Sequence, residues 1–313
     1  MMNLTPIKIV VDDIKTIKIQ GASNVAKEGI DTLAKEIKNQ KFKSEKEFDT
    51  FLKQAIVILK QARATEPMLF NGLKYCLANY KTLLAKKTDL KTMTMKLFQA
   101  CKNYLGDIER EEALRPLIGA RLIKKHMNIM THCHSSSVIK LLVTAHKQDK
   151  DIHVYNTETR PLYQGRRTSQ ELIKAGVTDT MITDDAAPFF VDNLYESDTH
   201  IDMLIIGSDA IKMDGSIYNK IGSFGLALAA RHSKIPVYIV GSLNKVDTEN
   251  NVKIEQRSGK ELRPEAPKGL RILNYAFDMV PAKFITGIIT EYGIIKPQDI
   301  KKAVKKHCPW MVK

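Results

Sequence analysis

No stretch of this sequence approaches the roughly 18 to 20 uncharged apolar residues that a membrane-spanning helix requires. Its first residues, MMNLTPIKIVVDDIK, meet Asp12 and Asp13 before any signal-like apolar core develops. The expectation is a cytoplasmic protein with no membrane partner. Cysteine is scarce: Cys76, Cys101, Cys133 and Cys308 lie far apart and form no CxxC pair. That spacing argues against a zinc site and against a disulfide framework, so reduced thiols are expected. His132, His134 and His200 have no metal-ligand spacing, and no metal is assigned. Acidic residues are outnumbered, with 35 Asp and Glu against 49 Lys and Arg, for a formal charge of +14. The clustering that would mark a nucleic-acid surface is missing. Lysines are spread over amphipathic stretches (Lys35, Lys38, Lys41, Lys43, Lys46), and only Lys301, Lys302, Lys305 and Lys306 approach a run. The excess charge reads as a solvated surface that would also draw in a doubly phosphorylated small molecule. Internal repeats and low-complexity tracts are also lacking.

What is present is ordinary globular composition, 43% apolar and 27% charged over 313 residues, enough for two domains or one large one. From residue 24 to 122 apolar residues recur at helical spacing, as in Val25, Ile30, Leu33 and Ile37, and again in Phe48, Phe51, Leu52, Ile56 and Leu59. Beyond Met127 short apolar runs at 128–132, 152–156, 178–183, 203–206 and 236–240 alternate with helical patterns, which implies βαβ crossovers and a parallel sheet. The expected architecture is α/β: an N-terminal all-α helical domain over 1–122, then a Rossmann-like parallel α/β domain over 123–313. Residues 247–268, rich in charge and holding Pro264 and Pro267, read as a surface loop.

The chain is organised around DMLIIGSDAIKMDGSIYNKIGS, residues 202–223. The uniformly apolar run before Gly207 fits a strand buried on both faces, which places Asp209 just beyond a strand's carboxyl end, where open α/β sheets bind ligands. For a lone aspartate, capping of the following turn is the ordinary explanation, and it is the neighbouring motifs that favour a site. The first strand of the sheet ends in THCHSSS, residues 131–137, followed at once by an apolar helix. A thiol at a helix start is expected to have its pKa lowered, which makes Cys133 a candidate reactive group. Ser135, Ser136 and Ser137 could hold a phosphate there or simply cap the helix. The second strand ends in TETRPLYQG, residues 157–165, which puts Arg160 and Gln164 on the same rim. Arg160 could be a phosphate fork, a carboxylate partner or an interface residue.

Taken together, IQGASNVA at 19–26, RATEPMLFN at 63–71, THCHSSS, TETRPLYQG, GSDAI at 207–211, NKIGS at 219–223 and FDMVPAKFITGIITEYG at 277–293 carry a resemblance over nearly the whole chain. It is to the superfamily shared by the regulatory subunits of eukaryotic translation initiation factor 2B, methylthioribose-1-phosphate isomerase and archaeal ribose-1,5-bisphosphate isomerase, the last being nearest in length and motif wording. The resemblance implies a catalytic pair, Cys133 and Asp209, that the regulatory subunits generally lack. It also implies substrate contacts from Gln20, Gly21, Ala22 and Ser23, from Arg63, from Ser135, Ser136 and Ser137, and from Asn219, Lys220 and Lys245. Gln20 stands where the family usually has arginine, and Arg63, Ala64 and Thr65 stand for Arg-Pro-Thr.

The implied activity is isomerisation of α-D-ribose 1,5-bisphosphate to D-ribulose 1,5-bisphosphate in nucleotide salvage, on a phosphorylated pentose and without a cofactor. A homo-oligomer, dimer or hexamer, is implied as well, and the sequence leaves open whether AMP is an effector. A sugar phosphorylated at carbon 1 has no free aldehyde, so its ring must be opened by an acid with the phosphate in place. A protonated Asp209 could supply that proton and a Cys133 thiolate could then take the carbon 2 proton. The alternatives are a methylthioribose-1-phosphate isomerase and a non-catalytic regulatory subunit.

Overall fold

The computed structural model describes residues 2–63, 66–192 and 200–312, so Ala64 and Thr65 of the second motif lie outside the described residues. The chain forms two compact units, Met1–Glu111 with Asn244–Val252 and Val304–Lys313, and Glu112–Leu243 with Lys253–Ala303.

The first unit is helical: α1 (Thr5–Lys15), α2 (Ala22–Asn39), α3 (Glu45–Lys60), α4 (Pro67–Ala85) and α5 (Leu90–Ala120), whose residues from Glu112 belong to the second unit. Helical spacing places Ile30, Leu33 and Ile37 on one face of α2 and Phe48, Phe51, Leu52 and Leu59 on one face of α3, and all of these are buried in one core with Leu69, Leu73 and Leu97. Each such side chain contributes roughly 1.5–3 kcal/mol when fully buried. Chain direction is set locally. Ser44 caps α3 by accepting the Glu47 N–H, and the Glu47 carboxylate reaches back to the Lys43 N–H at 2.6 Å.

The second unit is built on β1 (Asn128–Thr131), α6 (Ser136–His146), β2 (His153–Thr157), α7 (Gln164–Lys174), β3 (Thr178–Ile182), α8 (Ala187–Val191), β4 (Met203–Gly207), β5 (Ala210–Lys212), β6 (Ile217–Lys220), α9 (Ser223–His232) and β7 (Val237–Val240). After β8 (Val246–Asp247), which belongs to the first unit, come β9 (Phe277–Val280), β10 (Gly287–Thr290) and β11 (Gly293–Ile295). Seven strands form one sheet in the order β11-β10-β7-β4-β1-β2-β3, parallel except for β11. The five apolar runs read from the sequence are β1, β2, β3, β4 and β7. Ile129, Val154, Met203, Ile205, Val240 and Ile289 bury the sheet against Leu141, Leu142 and Leu172.

Strand order fixes where a site can form. From β1 the chain moves outward through β2 and β3, then returns to place β4 on the other side of β1, so the loops after β1 and β4 leave neighbouring strands in opposite directions. A crevice opens at such a switch point. Beyond β4 the chain folds into antiparallel strands unseen in the sequence, with β5 paired to β6 and β6 to β9. Two glycines are required at this end. A Cβ on Gly165 would lie 1.7 Å from the Thr157 carbonyl oxygen, and one on Gly207 would lie 2.8 Å from Ser135 Oγ. Only glycine lets α7 and α6 begin so close to the strand ends.

Candidate active site

Cys133 lies in the loop that leaves β1, with its backbone in the left-handed region at φ 67°. Asp209 follows β4, its N–H bound to the Tyr218 carbonyl at the start of the β5–β6 hairpin. Lys220 ends β6, almost wholly buried and over the Phe277 ring at 5.3 Å. Both charged groups act on the thiol: burial pushes Cys133 up, the Lys220 ammonium pulls it down and the Asp209 carboxylate pushes it up again, with the balance at about 11. This corrects the expectation of a thiolate. Cys133 sits two residues before Ser135, the cap of α6, so the helix end does not offset the loss of solvent, and the free protein carries a thiol at neutral pH.

The surrounding residues have defined tasks. Ser135 accepts the Val138 N–H as the α6 cap, while Ser136 is exposed and Ser137 half-buried in the first turn. Buried Asn219 donates to Ser223 Oγ at 2.8 Å, and Ser223 donates to the Lys220 carbonyl at 2.7 Å. Gln164 opens α7, and its Oε1 is buried with no hydrogen-bond partner among the described residues. One turn later Thr168 donates to the Cys133 carbonyl at 2.9 Å, which brings this end of α7 against the cysteine loop. Arg160 is exposed and donates to the Tyr163 hydroxyl at 2.6 Å.

The remaining sequence candidates belong to the first unit. Gly21, at φ 83°, begins α2, and Ala22 is buried while Ser23 is half-buried. Gln20 is exposed, its amide donating to the Ile17 carbonyl at 2.9 Å. Half-buried Arg63 lies 3.8 Å from the carboxylate of Glu66, which is fully buried. Lys245 ends a short 3₁₀ turn whose preceding residue, Asn244, is held at its carbonyl by Asn71 at 2.9 Å.

Sequence reading missed several polar residues around the cysteine. His132, Thr157 and Thr159 are buried and joined to one another by hydrogen bonds. Asp278, opposite Asn219 in the β6–β9 pairing, accepts the N–H groups of Gly222 and Phe224 through Oδ2 at 2.8 and 3.1 Å. Its Oδ1 is buried without a hydrogen-bond partner among the described residues, and burial pushes the carboxyl up to about 6. A residue opposite a candidate ligand could have been found from sequence only if the long-range antiparallel pairing of β6 with β9 had been recognised.

The Asp278 shift has a direction that stability measurements can check. A carboxyl raised from 3.8 to about 6 favours the fold while protonated, so its contribution is complete below pH 3.8 and is lost as pH rises through about 6. Asp278→Asn keeps an oxygen for the two N–H groups and removes the charge. At pH 8 it should stabilise the protein by about 1 to 2 kcal/mol, a value reduced for partial solvent exposure, and below pH 4 the difference should vanish. Chemical denaturation at pH 4, 6 and 8 measures this.

Residues 18–297 match the Initiation factor 2 subunit family. A ribose 1,5-bisphosphate isomerase of Pyrococcus furiosus is 32% identical over 97% of this chain and 94% of its own. Two structures from Pyrococcus horikoshii superpose over most of the chain. One, described as translation initiation factor eIF-2B, has a TM-score of 0.78 at 25% identity, covering 94% of this chain and 98% of that one. The other, 5-methylthioribose 1-phosphate isomerase, has a TM-score of 0.75 at 28% identity, covering 96% and 86%.

Proposed function

Since the chain belongs to the Initiation factor 2 subunit family, we propose that it is the aldose–ketose isomerase that converts α-D-ribose 1,5-bisphosphate to D-ribulose 1,5-bisphosphate. The observation that carries this reading is the placement of Cys133 and Asp209 just beyond the carboxyl ends of the adjacent strands β1 and β4, where Asp209 and, from the end of β6, Lys220 both act on the thiol. A thiol, a carboxylate and a cation there form an acid–base pair beside a charge that suits a phosphorylated substrate.

The reaction needs one proton on the pair. Cys133 begins as a thiol, so it passes its proton to Asp209, and Asp209 gives that proton to the ring oxygen as the bond from that oxygen to carbon 1 breaks. The thiolate then removes the carbon 2 proton, leaving an enol phosphate. The carbon 2 hydroxyl then gives its proton to the ionised Asp209 while Cys133 delivers the proton it took to carbon 1, which gives the 2-ketose, and Asp209 passes its proton back to Cys133. Every proton taken is returned, and no step draws on a metal or an organic cofactor. Lys220 lowers the cost of the thiolate. Gln164, Asn219, the first turn of α6, Arg63, Lys245 and the loop Gln20–Ser23 are the proposed substrate contacts. Arg160, tied to Tyr163, serves at most as the rim.

A second reading is favoured by Gln20, which removes a positive charge from the loop of the first unit. Methylthioribose 1-phosphate carries an uncharged thioether where the bisphosphate has its second phosphate. Turnover of the two sugars by purified protein, with and without AMP, separates the readings. We expect ribose 1,5-bisphosphate to have the higher kcat/KM. Preference for methylthioribose 1-phosphate would transfer the assignment to that reaction, and turnover of neither would leave a non-catalytic subunit.

A further inference from the structure

Cys133 occupies a backbone conformation that L-residues with a side chain rarely adopt, since their Cβ crowds the carbonyl oxygen there. Thr159, at φ 60°, is a greater exception because it is β-branched. Two such residues in contact persist only where their surroundings over-determine them. The hydrogen bonds around them reveal the arrangement. The Cys133 N–H donates to Thr159 Oγ1 at 3.0 Å, and the Cys133 carbonyl accepts from Thr168. Thr159 is itself held by its N–H on Asp184 Oδ1 at 2.9 Å, and the next N–H, of Arg160, lies on Oδ2 at 2.7 Å.

Proton positions in this network follow from one fixed end. His132 Nε2 lies 2.8 Å from the Ile221 carbonyl, which can only accept, so Nε2 carries the hydrogen. Burial disfavours the charged ring, so Nδ1 is an acceptor, and the Thr157 hydroxyl 2.6 Å away must donate to it. With that hydrogen spent, Thr157 Oγ1 can only accept, and the Thr159 hydroxyl donates to it at 3.1 Å with the Thr157 carbonyl as a second acceptor at 3.3 Å. The Thr159 oxygen is then free to accept the Cys133 N–H. The donors all point one way, from Cys133 through Thr159, Thr157 and His132 to Ile221, the residue directly after Lys220.

From this we infer that the hydrogen-bond chain Cys133–Thr159–Thr157–His132–Ile221 fixes the thiol against Lys220, and that Thr159 and His132 are positioning residues for the proton-transferring pair. Its ends fit this role. His132 also packs against Gly222, where a Cβ would come within 3.1 Å of the ring, so the loop after β6 is seated on the histidine. Asp278 holds the Gly222 and Phe224 N–H groups of that loop from another direction. Two of the charged groups acting on the thiol are therefore tied into the network, Asp184 through Thr159 and Lys220 through its neighbour Ile221, while the cysteine loop is strained. The inference rests on Cys133 as the proton-transferring group of the proposed reaction.

Thr159→Val removes the acceptor for the Cys133 N–H at nearly constant volume, while Thr159→Ser keeps it. Two measurements apply: steady-state kinetics, and the pH dependence of Cys133 alkylation by iodoacetamide, located by mass spectrometry. The other cysteines, Cys76, Cys101 and Cys308, are fully buried, so labelling reports on Cys133. For Thr159→Val we expect kcat to fall about 100-fold with KM within about twofold, as for a misplaced reacting group, and the alkylation profile to shift along the pH axis. Thr159→Ser should stay within about threefold of wild type in kcat, with its profile unmoved. Thr159→Ala carries the expectation of the valine variant should that protein fail to fold. An unmoved profile in a folded valine or alanine variant would overturn the inference. If wild type turns over neither sugar, the function fails separately, and the alkylation profiles still decide whether the chain sets the state of the thiol.

Discussion

Cys133→Ser and Asp209→Asn should each lower kcat for ribose 1,5-bisphosphate by about 10³-fold or more, with KM changing little. Serine keeps the size and the donor but holds its proton far more tightly than a thiol, so it cannot become the base at carbon 2. Asparagine keeps the shape of Asp209 but can neither take the cysteine proton nor deliver one to the ring oxygen. Neither change should disturb the fold. The Asp209 backbone N–H remains on the Tyr218 carbonyl, and the Cys133 backbone remains held by Thr159 and Thr168. Because the two residues share one proton, their effects should not add: the double variant should be about as slow as the slower single variant. Steady-state assays of the four proteins measure this. A double variant losing the product of the two single effects would show that the residues act in separate steps, and the shared proton would be wrong.

The sequence revealed much of this site and concealed its electrostatics. Five of the six parallel strands were legible, β4 most clearly because it is apolar and buried along its whole length, and β3 (TDTMI) chiefly from its place in the alternation of strands and helices. Positions just beyond such strands could then be nominated, which is how Cys133, Gln164 and Asp209 became candidates. The antiparallel strands were not legible. Ala210–Lys212 and Ile217–Lys220 are too short and too mixed in polarity to signal a strand, so Asp278 could not be placed opposite Asn219. Helix α1 went unread for a related reason, since Asp12 and Asp13 interrupt its apolar pattern although Val10, Val11 and Ile14 are buried. The state of Cys133 was misread because the helix start is visible in sequence and burial is not. Burial depends on chain segments far from residue 133, and it outweighs the pull of the Lys220 charge.

Lys220→Met should raise the pH needed to alkylate Cys133 above that of wild type and reduce kcat by about 10² to 10³-fold. The ammonium is the strongest influence pulling the Cys133 thiol down from where burial would otherwise put it, and even with that pull the thiol stands at about 11. Without it the thiolate forms less readily at every pH. Methionine matches the length of the lysine and suits the buried site beside Phe277, so packing should survive while the charge is lost. Lys220→Arg keeps the charge with a larger, planar head group, so it should leave the alkylation profile nearer wild type even where turnover suffers from misfit. This separates two roles that a simple loss of activity would confuse. A lysine that only gripped phosphate would raise KM on replacement and leave the unliganded thiol as reactive as before. A lysine that sets the thiol must move the alkylation profile with no sugar present. An unmoved profile would mean that the cost of forming the thiolate is met by substrate binding, and that Lys220 acts on the substrate alone.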